Sequence, residues 1–139
     1  MGRNTKELLD ELKNCEEFQR YYEENSEDFL FAALPGELNR LIGQKGLKKS
    51  AVIAKAQINE IYGYQIFAGK RRPERNKLLC LLIAMGADLN EIQAVLKHAG
   101  YAQLYAKNPT DSAVIFGICK HMTIPQINGI LFDHGLKSL

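Results

Sequence analysis

Helix signals run through almost the whole chain, and signals for β-strands are nearly absent. Leu8, Leu12, Cys15, Phe18 and Tyr22 recur at spacings of four, three, three and four residues, which places them on one face of an amphipathic helix. Further apolar segments alternate with single glycines, prolines and capping residues. The chain is therefore predicted to be all-α, with about seven or eight helices joined by short links.

Capping residues predict where these helices begin and end. Capping boxes are predicted for Asn4 with Glu7, Asp88 with Glu91, and Thr123 with Gln126. Further predicted N-terminal caps are Ser26, for a short helix to about Ala33, Asn59 and Thr110. Pro73 is predicted in the first turn of a helix over 73–85, where a missing N–H does no harm. The predicted terminal glycines are Gly46, Gly69, Gly100 and Gly135.

Charge is distributed unevenly along the chain. Residues 1–33 contain four cations and nine anions, net −5, whereas residues 34–77 contain ten cations and three anions, net +7. Residues 78–139 balance four cations against four anions. The overall net charge of +2 therefore hides an acidic segment beside a basic one, and the basic one contains the stretch YGYQIFAGKRRP at 62–73.

Nothing in the sequence predicts a membrane protein. The longest apolar run, LLCLLIAM at 78–85, is far shorter than a membrane span, and the N-terminus lacks the apolar core of a secretion signal. Cys15, Cys80 and Cys119 are odd in number, widely spaced and free of any CxxC pair, which is typical of reduced thiols. We therefore expect a cytoplasmic protein without membrane contact.

A phosphate loop is excluded by its own spacing. Gly63 and the pair Gly69-Lys70 resemble the motif, but one residue too many separates the glycines, and Arg71 stands where a Ser or Thr is required. A phosphate loop also follows a β-strand, and none is predicted here.

The histidines give no signal for catalysis or for metal binding. His98, His121 and His134 each lie near the end of a predicted helix, where a protonated imidazole interacts favourably with the helix dipole. Cys119 and His121 are two positions apart, which is not a recognised metal-ligand spacing. We predict no catalytic residue, no metal site and no cofactor, and hence a protein that is not an enzyme.

Several pieces of residues 34–105 match a known DNA-binding pattern. The pair GL at 46–47 opens a short helix, Val52, Ile53 and Ile58 continue an apolar pattern through a turn, and IFAGKRRP at 66–73 closes the next helix. On these residues, the segment resembles the Cro/C1-type (XRE) family of helix-turn-helix transcription regulators in prokaryotes and phages. That family has a lambda repressor-like DNA-binding domain of about five helices.

The resemblance extends beyond this segment. YGYQIFAGKRRP together with LKHAGYAQLY is similar to a subgroup of bacterial regulators that also carries an N-terminal helical arm and a C-terminal helix pair. It implies an acidic helical arm over 1–33, a helix-turn-helix domain over 34–105 and a C-terminal helix pair over 106–139. It also implies that the protein binds double-stranded DNA sequence-specifically.

The resemblance places a recognition helix at about 60–68, in the major groove. Gln65 suits an adenine, Ile61 a thymine methyl group and Glu60 the N4 amino group of cytosine, whereas lysines and arginines on either side suit phosphates. The DNA-binding residues implied are Lys48, Lys49, Asn59, Glu60, Ile61, Tyr64, Gln65, Lys70, Arg71 and Arg72. If about five of these cations contact phosphate, a log–log plot of the binding constant against salt concentration should have a slope of about −4 to −5.

The opposite face of this helix is predicted to be structural. Ile58, Tyr62 and Ile66 form a stripe that should face the core, and Gly63 should let the preceding helix approach closely. The family carries a glycine in the turn where this chain has Gln57, which is therefore expected to adopt a positive φ.

Three questions about partners remain open at the level of sequence. Ile61 and Tyr64 suit a protein partner as well as DNA, so the alternative is a protein-interaction module that keeps the fold without binding DNA. A homodimer is expected, either through the Leu8–Tyr22 stripe or through Ile115, Ile127, Ile130 and Leu131, unless these side chains pack within their own chain. The acidic segment is also a candidate to mask the basic one.

Overall fold

The computed structural model describes residues 3–139, and over that range the protein is all-α, with nine α-helices, two short 3-10 helices and no β-strand. The α-helices are α1 (Thr5–Asn14), α2 (Phe18–Glu24), α3 (Leu34–Lys45), α4 (Lys49–Lys55), α5 (Glu60–Phe67), α6 (Arg75–Ala84), α7 (Leu89–His98), α8 (Pro109–Cys119) and α9 (Ile124–Asp133). The 3-10 helices, Ser26–Asp28 and Leu30–Ala33, lie between α2 and α3. The prediction of an all-α protein is confirmed.

Most of the predicted helix ends are found where the sequence places them. Complete capping boxes begin α7 and α9, and the Asn4 side chain accepts a 2.8 Å hydrogen bond from the Glu7 N–H at the start of α1. All four predicted terminal glycines have positive φ, as Gly69 does at 77°. These ends are local structures, because each depends on hydrogen bonds between residues only a few positions apart.

The prediction that the stripe from Leu8 to Tyr22 lies on one continuous helix is wrong. The chain is extended at Cys15 (φ −78°, ψ 147°), so α1 ends and α2 folds back beside it. The break lets Tyr21 and Asn25 become buried, and the Asn25 amide donates a 2.9 Å hydrogen bond to the Glu11 carboxylate in α1. Packing between the two short helices therefore replaces the continuous helix that periodicity alone indicates.

Three further predictions of helix boundaries are wrong in detail. The segment from Ser26 to Ala33 forms the two 3-10 helices instead of one α-helix. Pro73 precedes the cap of α6, which is Glu74 in an extended conformation (φ −65°, ψ 154°), and the Pro73 carbonyl accepts a hydrogen bond from the Tyr101 hydroxyl. The cap of α8 is Asn108 and not Thr110.

The start of α8 has a clear physical reason. Asn108 accepts a 2.9 Å hydrogen bond from the Asp111 N–H, and Pro109 occupies the first turn, where its fixed φ suits a helix. Thr110 is thereby already inside the helix. A stronger cap two residues upstream outcompetes the threonine.

The centre of the bundle is α6. Its residues Leu78 to Leu82 are buried without interruption, which means that this helix is surrounded by other helices on all sides. It packs against α4 and α9, while α3 packs against α5 and α7. One apolar core runs from Leu34 to Leu131, and it includes residues of the predicted C-terminal helix pair.

The helices α8 and α9 form an antiparallel pair that packs tightly within its own chain. A Cβ atom placed on Gly117 would lie 2.4 Å from Cγ1 of Ile127, so the two helices can approach only because that residue is glycine. Ile127 and Leu131 are fully buried, whereas Ile115 and Ile130 are half-buried. Ile127 and Leu131 therefore belong to the core and do not offer a surface to a second copy.

Candidate nucleic-acid interface

Helices α4 and α5 pack against each other across a tight turn, and the turn determines how α5 is presented. Gln57 adopts the left-handed conformation (φ 58°), as expected for the residue in the place of a turn glycine. Ile58 then points into the core, and Asn59 caps α5 by accepting a 3.1 Å hydrogen bond from the Tyr62 N–H. The Asn59 side-chain oxygen is therefore already engaged, and only its amide group remains to bind a ligand.

The buried face of α5 is the one that the sequence predicts. Ile66 is 1% exposed and Tyr62 is half-buried against the core. A Cβ atom placed on Gly63 would lie 2.7 Å from Cγ2 of Ile53 in α4. The glycine thus allows the two helices to make close contact, and this contact sets the angle at which α5 stands.

The opposite face of α5 is open to solvent. Ile61 is 69% exposed and Tyr64 is 41% exposed, although both are large apolar or aromatic side chains. Glu60 is exposed beside them, and Gln65 is half-buried. One surface therefore presents an aliphatic group, a phenol, an amide and a carboxylate, all of which can contact base edges.

Cations precede and follow α5 in the chain. Lys48 and Lys49 begin α4, and Lys70, Arg71 and Arg72 follow α5 after Gly69. Within residues 3–139, none of these five cations lies within ion-pair distance of a carboxylate. Their charge is therefore not neutralised inside the molecule, and it is available to an anionic partner.

Several of these cations lie against aromatic rings, and these contacts were not predicted from the sequence. The Arg72 guanidinium carbon lies 4.9 Å from the ring centroid of Phe31 and 5.0 Å from that of Tyr101. The Arg71 guanidinium lies over Tyr62 at 5.5 Å, and the Lys49 ammonium lies 5.5 Å from the centroid of the Phe67 ring. Such contacts restrain a cation without removing its charge.

An ion pair anchors the loop that carries Tyr101. Arg75, at the start of α6, binds the Asp111 carboxylate with two hydrogen bonds of 3.1 and 3.0 Å, and its Nε donates to the Ala102 carbonyl at 2.9 Å. Asp111 also accepts a 3.0 Å hydrogen bond from the Tyr105 N–H. The loop is thus fastened to α6 and α8, and Arg75 is engaged within the protein.

The acidic segment makes ion pairs within itself. Arg3 pairs with Glu7 and Glu11, and Arg20 pairs with Glu24, but no carboxylate of residues 3–33 pairs with a cation of the basic segment. Phe31 is one of its contacts with that segment, since its ring lies against Arg72. The predicted electrostatic masking therefore has no ion pair between these two segments to support it.

The histidines and cysteines lie apart from this surface. His98 Nδ1 lies 2.8 Å from the Glu37 carboxylate, and His134 Nδ1 lies 2.9 Å from the Ile130 carbonyl. No group of three or more metal-binding side chains occurs in the part of the chain that the structure describes. Burial raises the pKa of the Cys80 thiol, while Cys15 and Cys119 are exposed.

Comparison with protein-family models, with curated proteins and with solved structures gives no match. Within residues 3–139, no helix has both the length and the apolar character required to cross a membrane.

Proposed function

We propose that this protein is a helix-turn-helix transcription regulator that binds double-stranded DNA sequence-specifically, with α5 as the recognition helix. The observation that carries the proposal is a set of five cations without carboxylate partners, which precede and follow α5 in the chain, together with the exposed face of that helix. In a helix-turn-helix, one helix crosses the backbone while the next enters the major groove. Cations in these positions suit the two phosphate strands that border a groove.

The arrangement of helices supports a Cro/C1-type fold. Five α-helices, α3 to α7, lie within residues 34–105, which is the number that the resemblance implies. The α4–α5 pair is joined by residues 56–59, and a buried glycine holds the two helices close together. We assign Gln65, Ile61 and Glu60 to base edges and Lys48, Lys49, Lys70, Arg71 and Arg72 to phosphates, while Tyr64 and the Asn59 amide contact the backbone nearby.

We test the function by selecting random duplex DNA on the purified protein, alongside two variants. Gln65→Ala should relax the selected sequence at one position, and Lys70/Arg71/Arg72→Ala should weaken binding to all sequences alike. A matched control is Lys97/Lys107/Lys137→Ala, which removes the same charge from exposed positions outside the basic segment. If both triple variants lose affinity equally, binding is non-specific electrostatic attraction and the assignment of the site is wrong.

The second candidate function is a protein-interaction module, which the exposure of Ile61 and Tyr64 favours. The two functions differ in their response to salt. DNA binding through about five phosphate contacts should weaken as salt is added, with a log–log slope of about −4 to −5, whereas an apolar interface should be nearly insensitive to salt. Absence of any enriched duplex at low salt would favour this second function.

A homodimer is part of the proposal, because one recognition helix reads only a few base pairs. Of the two predicted contact surfaces, the Leu8–Tyr22 stripe is the more accessible, with Leu12, Phe18 and Tyr22 exposed, whereas Ile127 and Leu131 are buried. Leu12→Ser/Phe18→Ser should therefore lower the mass measured by analytical ultracentrifugation. An unchanged mass would remove the stripe from the dimer.

A further inference from the structure

A cleft of about 510 Å³ lies between residues 22–35 and the segment that follows α5. Its size falls within the range of small-molecule sites. One wall is aromatic and apolar, and the other is cationic. Side chains prominent in the two walls are Tyr22, Phe31, Pro35, Lys70, Arg71 and Arg72.

Arg72 is the most constrained of these side chains. Phe31 and Tyr101 both lie within 5.0 Å of its guanidinium carbon, measured to the ring centroids, yet its N–H groups have no hydrogen-bond acceptor within residues 3–139. A guanidinium is a planar fork that binds two oxygens of one phosphate or carboxylate at once. The rings thus orient the fork and leave its donors for a ligand.

Each of the two rings makes a further contact of its own. The Tyr101 hydroxyl donates a hydrogen bond to the Pro73 carbonyl, next in sequence to Arg72. Phe31 stacks on Phe29, with a centroid separation of 6.0 Å and an interplanar angle of 9°. Because two rings restrict its orientation, the guanidinium loses less freedom on binding an oxyanion than a fully solvated arginine would lose.

The remaining walls supply a further charge and a flat surface. Lys70 and Arg71 are exposed next to Arg72, and the Tyr22 ring lines the cleft with 42% of its surface exposed. The same ring packs against Phe29 at a centroid distance of 5.0 Å and against Phe18 at 6.1 Å. A partly exposed aromatic ring near a cationic groove can serve as a platform for a nucleobase. The cleft therefore combines the two elements that recognise a base followed by a phosphate.

We infer that this cleft binds a single unpaired nucleotide, with Arg72 donating two N–H groups to its phosphate, Lys70 adding charge and Tyr22 stacking on its base. The ligand is either a free nucleotide or the unpaired end of a nucleic-acid strand, since both present the same base and phosphate. Its link to duplex DNA rests on the proposed function. A bound nucleotide would occupy cations assigned to duplex phosphates, and it would lower the affinity for DNA.

The test uses the full-length protein without DNA and follows the side-chain Nε–Hε NMR signal of Arg72. Adenosine monophosphate, inorganic phosphate and adenosine are titrated separately at constant ionic strength. The monophosphate should bind at least about tenfold more tightly than either fragment, because only it engages both walls. If inorganic phosphate and adenosine monophosphate bind equally well, or if neither shifts the signal, the nucleotide site is refuted.

Variants separate what the Arg72 charge, the planar guanidinium and the Tyr22 ring each contribute to nucleotide affinity. Arg72→Lys keeps the charge but loses the fork, and it should weaken monophosphate binding by about tenfold. Tyr22→Leu should lower the affinity for adenosine monophosphate to that for phosphate. Arg40→Lys is the matched control at an exposed arginine outside the cleft, and it should change nothing. Full binding by Arg72→Lys would show that a point charge suffices and would overturn the assigned fork.

Further arms distinguish the two sources and keep the two proposals apart. A single-stranded oligonucleotide that binds far more tightly than adenosine monophosphate identifies a strand end as the ligand, and the reverse result identifies a free nucleotide. Nucleotide binding without any duplex binding would support the cleft and contradict the proposed function. Duplex binding that adenosine monophosphate does not weaken would contradict the competition and leave DNA binding intact.

Discussion

The arm (residues 3–33) and the bundle (residues 34–139) are built from similar amphipathic helices, yet they bury their apolar faces to very different extents. Helix α1 has no buried residue and α2 has only Tyr21, while Phe18 is 64% exposed. In the bundle, α6 alone buries five consecutive residues. The comparison shows that amphipathic periodicity predicts a helix but does not tell how completely another element will cover it.

The low burial of the arm affects how readily it can move. Helices with little buried apolar surface open at low free energy, whereas a fully packed core opens only with global unfolding. The arm therefore can move relative to the bundle more readily than any bundle helix. Because Tyr22 and Phe31 belong to the arm, its position affects the surroundings of Arg72 directly.

The largest effect is expected from removing an apolar side chain in each region. Leu82 is fully buried in α6, so Leu82→Ala should lower the free energy of unfolding by about 2–5 kcal/mol. Leu9 in the arm is 49% exposed, and Leu9→Ala should lower it by less than about 0.5 kcal/mol. Equilibrium unfolding in urea measures both. Equal losses would mean that the arm is as firmly packed as the bundle.

Breaking an ion pair should also cost more unfolding free energy in the bundle than in the arm. Asp111→Asn should destabilise the bundle by about 2–3 kcal/mol, because the Arg75 guanidinium would keep a half-buried charge without its partner. The exposed arm pair of Arg20 and Glu24 serves as the control, and Glu24→Gln should change the free energy of unfolding by less than about 0.5 kcal/mol. Thermal unfolding of both variants checks this. If Glu24→Gln lost more stability than Asp111→Asn, the arm ion pair would be the stronger one, contrary to this prediction.

Close packing between bundle helices predicts a smaller effect. Gly63→Ala should destabilise the protein by about 1–3 kcal/mol, because the new Cβ would overlap Ile53. Gly129, inside α9, has no atom within 4 Å of an added Cβ, and Gly129→Ala should stabilise by about 0.4–1 kcal/mol. Unfolding in urea distinguishes the opposite signs. A stabilising Gly63→Ala would mean that α4 and α5 are separated more widely.

The smallest effect concerns pH. Hydrogen bonding to the Asp88 backbone N–H, followed by the Lys45 ammonium, lowers the pKa of Glu91 from its ordinary value. A carboxylate with a lowered folded-state pKa adds stability above its unfolded pKa, and this stability is lost as the pH falls through the folded value. Glu91→Gln should therefore destabilise the protein at neutral pH and have a diminishing effect in acid. If the loss of stability in Glu91→Gln stayed the same from neutral to acidic pH, the lowered pKa of Glu91 would not be its cause. Lys45→Met should remove only part of the pH dependence.

Local features of the fold were predictable from the sequence. The capping boxes of α7 and α9 and the terminal glycine after α5 depend on neighbouring residues, and the structure has them where they were predicted. The continuous helix from Leu8 to Tyr22 was wrong for the opposite reason. Its stripe has the same periodicity in one long helix and in two short ones, and only burial of Tyr21 and Asn25 distinguishes the two.

In the candidate site, too, local features were predictable and contacts between distant segments were not. Exposure of Ile61 and Tyr64, burial of Ile66 and the close contact at Gly63 follow from helical periodicity, and all are found. The rings around Arg72 could not be predicted, because Phe31 and Tyr101 lie far from it along the chain. No residue pattern near Arg72 indicates which loop will pass beside it.

The sequence by itself determined that the chain is helical, where most helices end, and which face of α5 is buried. These properties depend on hydrogen bonds and steric effects between residues within about one or two helical turns of each other. Only the tertiary structure decided that the arm breaks at Cys15, that Arg75 binds Asp111 across 36 positions, and that Arg72 lies between two aromatic rings. Such contacts depend on how separate helices pack around a common core, and chain-local patterns do not contain that information.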